Sequence, residues 1–387
     1  MSGVKDGSEY VSRTAALQRR LVEHGLDVAI ITDPDSIIYF AGFWNYLGVE
    51  FGRPTVLLVP RDGEPTLVTP LMESEMCRRM TWVEDVRPWA DGVGSEWYGE
   101  IEGALSQRAR AVAVEKSKLH PFIGLRLGSL LAGKTVANLD PIVSDLRVIK
   151  SAAEIAIMRD AGKVAVAMVE GARQAIAEGV PEYEVALAVI QAGTRKAASL
   201  LDAEADRFVS PTIYNLQVLQ SGHDTCMVHR RSSVRRIEKG DPVYLCFCGI
   251  ANFKNYKLGF DREFFVGSAT DEQLRIYETA VRAQQAALEM IRPGVLCEDV
   301  NAAAEEVYRE AGFGAPYRTG RSIGCSFLES PELKRGDKTP LAAGMTLAVD
   351  GGITVPHEFG GRVGDSVVVT DTGFEYLTPY PKDVVIL

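Results

Sequence analysis

Length, composition and charge place this chain among ordinary globular proteins and exclude several other classes. Its 387 residues suffice for roughly two domains of about 150 residues each. Hydrophobic residues make up 46% and charged residues 24%, and no apolar run reaches the roughly 20 residues needed to span a membrane. The net charge of −10 argues against a nucleic-acid partner, because phosphates attract basic surfaces. The amino terminus lacks the apolar core of a secretory signal, so we expect a cytoplasmic protein.

The first part of the chain alternates helices and strands. A helix near Val11–His24 with one apolar face precedes a short apolar strand at Asp27–Thr32. Further strands are predicted at Pro54–Val59, Thr66–Thr69 and Ala111–Val114. This alternation predicts an α/β domain over residues 1–150 with a mostly enclosed sheet.

A second domain, residues 151–387, begins with a long helix. Ser151 as N-cap and Glu154 three residues on form a capping-box pattern, and the helix is expected to run toward Gly179. The Gly-Val turn within residues 176–185 reappears without gaps within residues 291–300, and each copy joins two long helices. Two such copies predict two halves related by a pseudo-twofold axis, with chance similarity as the alternative. Strands for a sheet between them are predicted at Pro242–Gly249, Arg262–Val266, Thr346–Val349 and Ser366–Thr370.

Histidines are the natural candidates for proton transfer near neutral pH, and the chain has five, at positions 24, 120, 223, 229 and 357. His229 lies in a loop that directly precedes a predicted strand and also contains Asp224, Arg230 and Arg231. This clustering favours a role for His229, although a loop histidine is more often a surface residue.

The six cysteines lack zinc-type spacing and are expected to be reduced packing thiols. Cys246 and Cys248 are the exception, because residues two apart on a strand face the same side and both thiols could enter one cavity. Two aspartates also stand out. Asp350 ends an apolar strand, and Asp261 should point away from Phe260. Two carboxylates facing a cavity would hold a cation and share protons with a histidine, although each alone has a structural explanation.

These residues lie in segments that resemble creatinase. His229 falls on the catalytic histidine within the matching segment SGHDTCMVHRRSSVRRIEKGD. Two creatinase strands that carry substrate-binding glutamates resemble NYKLGFDREFF and LAAGMTLAVDGG, with Asp261 and Asp350 at the glutamate positions. Phe51 and Arg53 match a Phe-Gly-Arg that binds the substrate carboxylate. The linker VIKSAAEIAIMRDAG is similar to the start of the pita-bread domain in prolidases, aminopeptidases P and creatinase.

The chain is therefore identified as a creatinase-like member of the pita-bread superfamily. The resemblance implies an α+β fold, with an N-terminal creatinase-type α/β domain and a C-terminal pita-bread domain whose pseudo-twofold halves surround a curved antiparallel sheet. It also implies a homodimer in which Arg53 reaches the neighbouring subunit's site. The family's Arg…Asp pair matches Arg362 and Asp365, for which we expect a structural salt bridge.

Prolidase-type relatives bind two metal ions through two aspartates, a histidine and two glutamates. The matching positions here are Cys246, Gly259, Arg321, Asp350 and Gly364. Two glycines offer no ligand and the arginine brings a permanent positive charge, so we expect no metal and no cofactor. A zinc ion on Cys246, Cys248 and His229, or a nucleophile pair of Cys246 and His229, remain minor alternatives.

The resemblance and the missing metal ligands together predict a metal-independent hydrolase. It would cleave a C–N bond of a small guanidino, amidino or cyclic amide carboxylate. His229 would act as acid and base, Asp261 and Asp350 would hold the cationic group, and Arg53 would pair with the carboxylate. A lyase or other non-hydrolytic enzyme using the same site, and a non-catalytic ligand-binding relative of Xaa-Pro peptidases, stay open. The further candidate substrate-binding residues are Phe51, Arg321, Arg335 and Cys246.

Overall fold

The computed structural model describes residues 7–90, 96–105, 109–119, 121–213 and 218–387. His120, one of the candidate histidines, lies outside these residues. The chain divides into two compact units, Met1–Arg147 and Val148–Leu387. In the described ranges, no helix combines the length and apolar character that crossing a membrane requires.

The N-terminal unit is built on a mixed sheet, and the predicted α/β organisation is confirmed. Its strands are β1 Val28–Ile31, β2 Val56–Pro60, β3 Thr66–Pro70, β4 Asp85–Trp89, β5 Ala111–Val114 and β6 Thr135–Asn138. They follow the order β4-β3-β2-β1-β5-β6, and every residue of β1 is buried, as expected for a strand covered on both faces. The helices are α1 Ser8–Glu23, α2 Pro34–Ala41, α3 Tyr46–Phe51, α4 Ser74–Met80, α5 Glu96–Ala104, α6 Pro121–Leu130 and α7 Asp140–Arg147.

The C-terminal unit contains two pairs of long helices and a large antiparallel sheet. The helices are α8 Ala152–Ala175, α9 Glu182–Leu200, α10 Asp271–Met290 and α11 Cys297–Glu310. The strands are β7 Val218–Ser221, β8 Pro242–Cys246, β9 Asn252–Phe253, β10 Tyr256–Lys257, β11 Asp261–Phe265, β12 Gly320–Ser322, β13 Glu329–Leu333, β14 Thr346–Val355, β15 Phe359–Val369 and β16 Phe374–Tyr376. The sheet has the order β13-β12-β14-β15-β11-β8-β7, with β16 on β15, while β9 and β10 pair separately.

The internal repeat corresponds to the helix pairs α8–α9 and α10–α11. In both turns a glycine has positive φ, 82° at Gly179 and 89° at Gly294, which suits a residue without Cβ. The two glycines also bond alike, because their N–H groups donate to the carbonyl oxygens of Ile237 and Leu341, each at 2.8 Å. The predicted capping box is present at Ser151. However, α8 ends at Ala175 rather than at Gly179, because the chain leaves the helix in an extended conformation before this turn.

Helix α10 packs on one face of the sheet, so the residues of the candidate site lie on the opposite face. Gln284 on this helix donates to Asp365 Oδ2 at 3.1 Å, and a Cβ on Gly351 would lie 2.1 Å from the backbone oxygen of Ala280. Side chains alternate along a strand. Asp350 and Gly364, the neighbours of Gly351 and Asp365, therefore point away from α10.

The expected salt bridge between Arg362 and Asp365 is wrong. Asp365 instead pairs with Arg262, whose Nη2 lies 2.8 Å from Asp365 Oδ1 in the buried layer beneath α10. Arg362 donates to the backbone oxygen of Thr225 at 2.8 Å. Residues three apart on a strand face opposite sides of the sheet, so Arg362 and Asp365 within β15 cannot meet.

Candidate functional site

Three adjacent strands bring two aspartates together around a glycine. Asp261 on β11 lies opposite Gly364 on β15, and Asp350 on β14 lies opposite the same glycine from the other side. A Cβ on Gly364 would lie 2.9 Å from Asp261 Oδ2 and 2.9 Å from Asp350 Oδ1. The two carboxylates therefore converge on a space that only glycine leaves open.

A buried arginine occupies the next position in this cluster. Nη1 of Arg321 on β12 donates to Asp350 Oδ2 at 2.5 Å, and the guanidinium carbon lies 4.2 Å from the centre of the Phe327 ring. The side chain of Arg321 is 4% exposed and that of Asp350 is 30% exposed. A Cβ on Gly259 would lie 3.2 Å from Arg321 Nη2. The guanidinium thus fills the space beside Gly259 and is paired with Asp350.

Both thiols lie next to Asp261. Cys248 Sγ donates to Asp261 Oδ1 at 3.3 Å, and Cys246 lies opposite Asp261 on the neighbouring strand. A hydrogen bond with Cys248 and burial together raise the pKa of the Cys246 thiol well above its ordinary value. Cys246 therefore stays protonated near neutral pH, which disfavours its role as a thiolate nucleophile.

Asp261 is the group best placed for proton exchange near neutral pH. Burial raises its pKa to about 6, and the negative charge of Asp350 acts in the same direction. Hydrogen bonds from the two thiols and the charge of Arg321 oppose this rise. A carboxyl with a pKa near 6 can both accept and return a proton at physiological pH.

Two polar atoms of this cluster have no partner. Within the described part of the chain, Arg321 Nε and Asp350 Oδ1 are closed to water and make no hydrogen bond. The first is a donor and the second an acceptor. The site therefore retains capacity to bind one donor and one acceptor from a ligand.

The structure leaves His229 outside this cluster. Its ring is exposed on the segment that follows the short 3₁₀ helix Gly222–Cys226. Among the residues that the structure describes, no hydrogen bond or ion pair joins it to Asp261, Asp350 or Cys246. The role of His229 as acid and base stays a prediction from the resemblance.

Of the other predicted substrate-binding residues, Phe51 and Arg53 belong to the N-terminal unit and Arg335 to the C-terminal unit. Arg335 is 84% exposed and pairs with Glu305 at 2.8 Å. Phe51, at the end of α3 in the N-terminal unit, is 58% exposed. The backbone N–H of the half-buried Arg53 donates to Leu47 O at 3.1 Å. Arg321 and Cys246 are the two that the structure places in the cluster.

Sequence reasoning missed two residues on the same face of the sheet. Glu263 lies two residues after Asp261 and is buried, which raises its pKa to about 8, and its Oε2 accepts from the backbone N–H of Arg362 at 2.9 Å. Tyr244, opposite Glu263 on β8, is buried as well. The two-residue spacing between Asp261 and Glu263 was the available signal, since it puts both side chains on one face.

Comparisons with known proteins identify the family. Residues 156–371 match the family model for metallopeptidase family M24, and residues 13–149 match that for the creatinase/prolidase N-terminal domain. The chain belongs to metallopeptidase family M24. The predicted pita-bread superfamily and fold class are thereby confirmed, and the chain is a member of a family of hydrolases.

Proteins similar to this chain include one named as a cyclase and others named as dipeptidases. The chain is 32% identical to an agropine synthesis cyclase of Rhizobium rhizogenes, over 96% of both chains. It is 29% identical to an Xaa-Pro dipeptidase of Pyrococcus furiosus, over 96% of this chain and 99% of the other. Among solved structures, dipeptidase PepE from Mycobacterium ulcerans superposes with a TM-score of 0.81 at 27% identity, covering 99% of each chain.

The residues present do not fit the two-metal centre implied by the name of the M24 family. Gly259 and Gly364 contribute no ligand, and the guanidinium of Arg321 already neutralises Asp350. Cys246, Cys248 and Asp261 have ligand atoms within 4.8 Å of one another, which is the spacing of a possible single-ion site. Arg321 Nη2 lies 3.6 Å from Cys248 Sγ, however, and its positive charge would repel such an ion.

Proposed function

We propose that this M24 protein cleaves a C–N bond in a small non-peptide carboxylate without a two-metal centre. The substrate class is that of guanidino, amidino or cyclic amide acids. The observation that carries the proposal is the ion pair of Arg321 with Asp350, which puts a protein cation beside Gly259. The resemblance to prolidases matches Gly259 to one of their metal-ligand positions. A fixed guanidinium can stabilise negative charge that develops in a transition state, which is one of the tasks of a metal ion.

Proton transfer in this proposal is assigned to Asp261. Its carboxylate takes a proton from a water molecule whose oxygen forms a bond to the substrate's central carbon. The C–N bond then breaks, and the same proton passes to the departing nitrogen, so that Asp261 ends ionised as it began. A pKa near 6 suits both directions of transfer.

His229 remains the second candidate for this proton transfer. Its support is the resemblance of its segment to that of creatinase, whereas its exposed ring argues for Asp261. The proposal also retains a homodimer in which Arg53 binds the substrate carboxylate in the neighbouring site. Arginine suits this task because it can donate two parallel hydrogen bonds to a carboxylate.

A ring-closing reaction is the second candidate function. It is favoured by the 32% identity to a protein named agropine synthesis cyclase. In such a reaction a nucleophile within the substrate takes the place of water and forms the bond to the central carbon, while Asp261 accepts its proton. The C–N bond then breaks, and the departing nitrogen receives that proton. This belongs to the non-hydrolytic alternative that the sequence left open.

The test is a substrate panel with the purified protein after chelation. Release of ammonia or amine is measured from guanidino, amidino and cyclic amide acids, and from Xaa-Pro dipeptides with and without added manganese. The proposal expects turnover of a non-peptide acid that chelator does not abolish. Turnover restricted to Xaa-Pro dipeptides with manganese would contradict it. Ligand binding without any turnover would indicate a non-catalytic relative instead.

A further inference from the structure

The site already contains a bound guanidinium, which belongs to the protein. Arg321 pairs with Asp350 Oδ2 at 2.5 Å and stacks on Phe327 at 4.2 Å. These are the two kinds of contact, a carboxylate and an aromatic face, that a substrate guanidinium would require. A cationic substrate group at Asp350 would have to displace Arg321 or lie against its positive charge.

The unpaired atoms of the cluster select a different chemical group. Over the ranges that the structure describes, Arg321 Nε is a buried donor without an acceptor, and Asp350 Oδ1 is a buried acceptor without a donor. Guanidinium and amidinium groups carry donors only, so neither can satisfy Arg321 Nε. A carboxamide carries one carbonyl acceptor and, on the adjacent nitrogen, a donor. It therefore offers an acceptor for Arg321 Nε and a donor for Asp350 Oδ1.

We infer that the reacting group of the substrate is a neutral carboxamide, open-chain or cyclic, which accepts from Arg321 and donates to Asp350. This inference rests on the proposed function and narrows its substrate class. The ligand has to approach from the partly exposed side of Asp350 and displace the contacts that cover the two atoms. Arg321 then polarises the carbonyl, and Asp261, whose Oδ2 converges with Asp350 Oδ1 on Gly364, lies next to the bond that breaks.

The balance of the reaction is that of amide hydrolysis. The oxygen of water forms a bond to the carbonyl carbon, and one of its protons passes to Asp261. The C–N bond breaks, the departing nitrogen receives that proton, and a carboxylic acid and an amine or ammonia result. For a lactam both products remain in one molecule, as an amino acid with an opened ring.

A matched pair of probes tests the inference by binding alone. Glutaramate and its amidine analogue, in which NH₂⁺ replaces the carbonyl oxygen, have the same shape and the same carboxylate. Dissociation constants from calorimetry with the full-length protein are expected to favour glutaramate at least tenfold, because the amidine leaves Arg321 Nε unpaired. Equal or tighter binding of the amidine, or no binding of glutaramate at millimolar concentration, would overturn the inference.

An Arg321→Ala variant provides the reciprocal measurement. Removing the guanidinium vacates a space bordered by Asp350 and Phe327, so the preference should invert and the amidine should bind at least tenfold more tightly than glutaramate. An unchanged preference in the folded variant would contradict the assignment to Arg321. If the variant does not fold, the wild-type ratio decides alone.

The two proposals fail separately. Tight glutaramate binding without turnover of any C–N substrate would contradict the proposed function and leave the inference about the carboxamide intact. Turnover of guanidino acids by the chelated protein, with amides neither bound nor cleaved, would contradict the inference about the carboxamide and leave the proposed function intact.

Discussion

Asp261 and Asp350 face each other across a residue that has no side chain. Asp261 Oδ2 and Asp350 Oδ1 each lie 2.9 Å from the point that a Cβ of Gly364 would occupy. Like charges at such proximity disfavour simultaneous ionisation, and this repulsion adds to burial in raising the pKa of Asp261. Arg321 holds the other member of the pair through Asp350 Oδ2. The arrangement gives two carboxyl groups unequal tasks, one for proton exchange and one for fixing the guanidinium.

Gly364→Ala should damage the site directly. The added Cβ would come closer to both carboxylate oxygens than real Cβ contacts allow, so at least one aspartate has to move. We expect a loss of activity of about a hundredfold and a loss of stability of about 1–3 kcal/mol. Gly314→Ala is the matched control, since its Cβ meets no atom of the described residues within 4 Å, and it should leave activity unchanged. Kinetics and urea unfolding of both variants measure the difference, and equal behaviour would refute the convergence of the two acids.

The pH profile should report the ionisation of the proton carrier. With Asp261 as base, kcat/KM rises with pH as its carboxyl ionises, with a midpoint near the pKa of about 6. Because the folded carboxyl binds its proton more tightly than the unfolded one, stability should fall as pH rises through the window from 3.8 to about 6.

Two variants distinguish Asp261 from His229 as the residue that transfers the proton. Asp261→Asn should lower kcat by about two to four orders of magnitude, since general acid–base catalysis contributes that much. His229→Gln should keep most of the activity together with the acidic limb of the profile. Loss of that limb in the His229 variant, with activity retained in the Asp261 variant, would return the role to histidine.

Much of the fold could be predicted from the periodicity of the sequence, whereas the candidate site could be predicted only in part. The capping box at Ser151, the repeat at Gly179 and Gly294 and the two aspartates all follow from local patterns. Whether Arg321 pairs with Asp350 could not be decided from the sequence, because 29 residues separate them and the register of β12 on β14 decides the contact. Such long-range register is not contained in local sequence.

Of two other errors, one could have been corrected from local sequence and one could not. The wrong partner assigned to Asp365 could have been avoided, since three-residue spacing on a strand excludes Arg362. The end of α8 at Ala175 depends on pairing of the following turn with residues 235–237, which no helix signal reveals.

Breaking the ion pair should destabilise the C-terminal unit. Arg321→Met leaves Asp350 without its cation in a largely buried environment, and we expect a loss of about 3 kcal/mol in the free energy of unfolding. Adding Asp350→Asn should recover part of this loss, because the unpaired charge is then removed. Arg335→Met breaks an exposed pair with Glu305 and should cost less than about 1 kcal/mol. Similar losses in the two arginine variants would contradict a buried ion pair.

Arg53 can be tested by mixing two inactive variants. If Arg53 acts in the neighbouring subunit, a dimer of one Arg53→Ala and one Asp261→Asn subunit contains one intact site. Random exchange of equal amounts should then restore about one quarter of wild-type activity. Sedimentation of the mixture verifies the dimer. Absence of recovery in a verified mixed dimer would mean that Arg53 acts in the site of its own subunit.

The most direct measurement is metal content against turnover in the same sample. The protein is chelated, its bound metal is determined by mass spectrometry, and amide cleavage is assayed before and after adding manganese, zinc or iron. Because Arg321 already neutralises Asp350 and two ligand positions are glycines, the account predicts full turnover with far less than one metal ion per chain and no gain on addition. Turnover that rises in proportion to bound metal, reaching its maximum at one or two ions per chain, would contradict it.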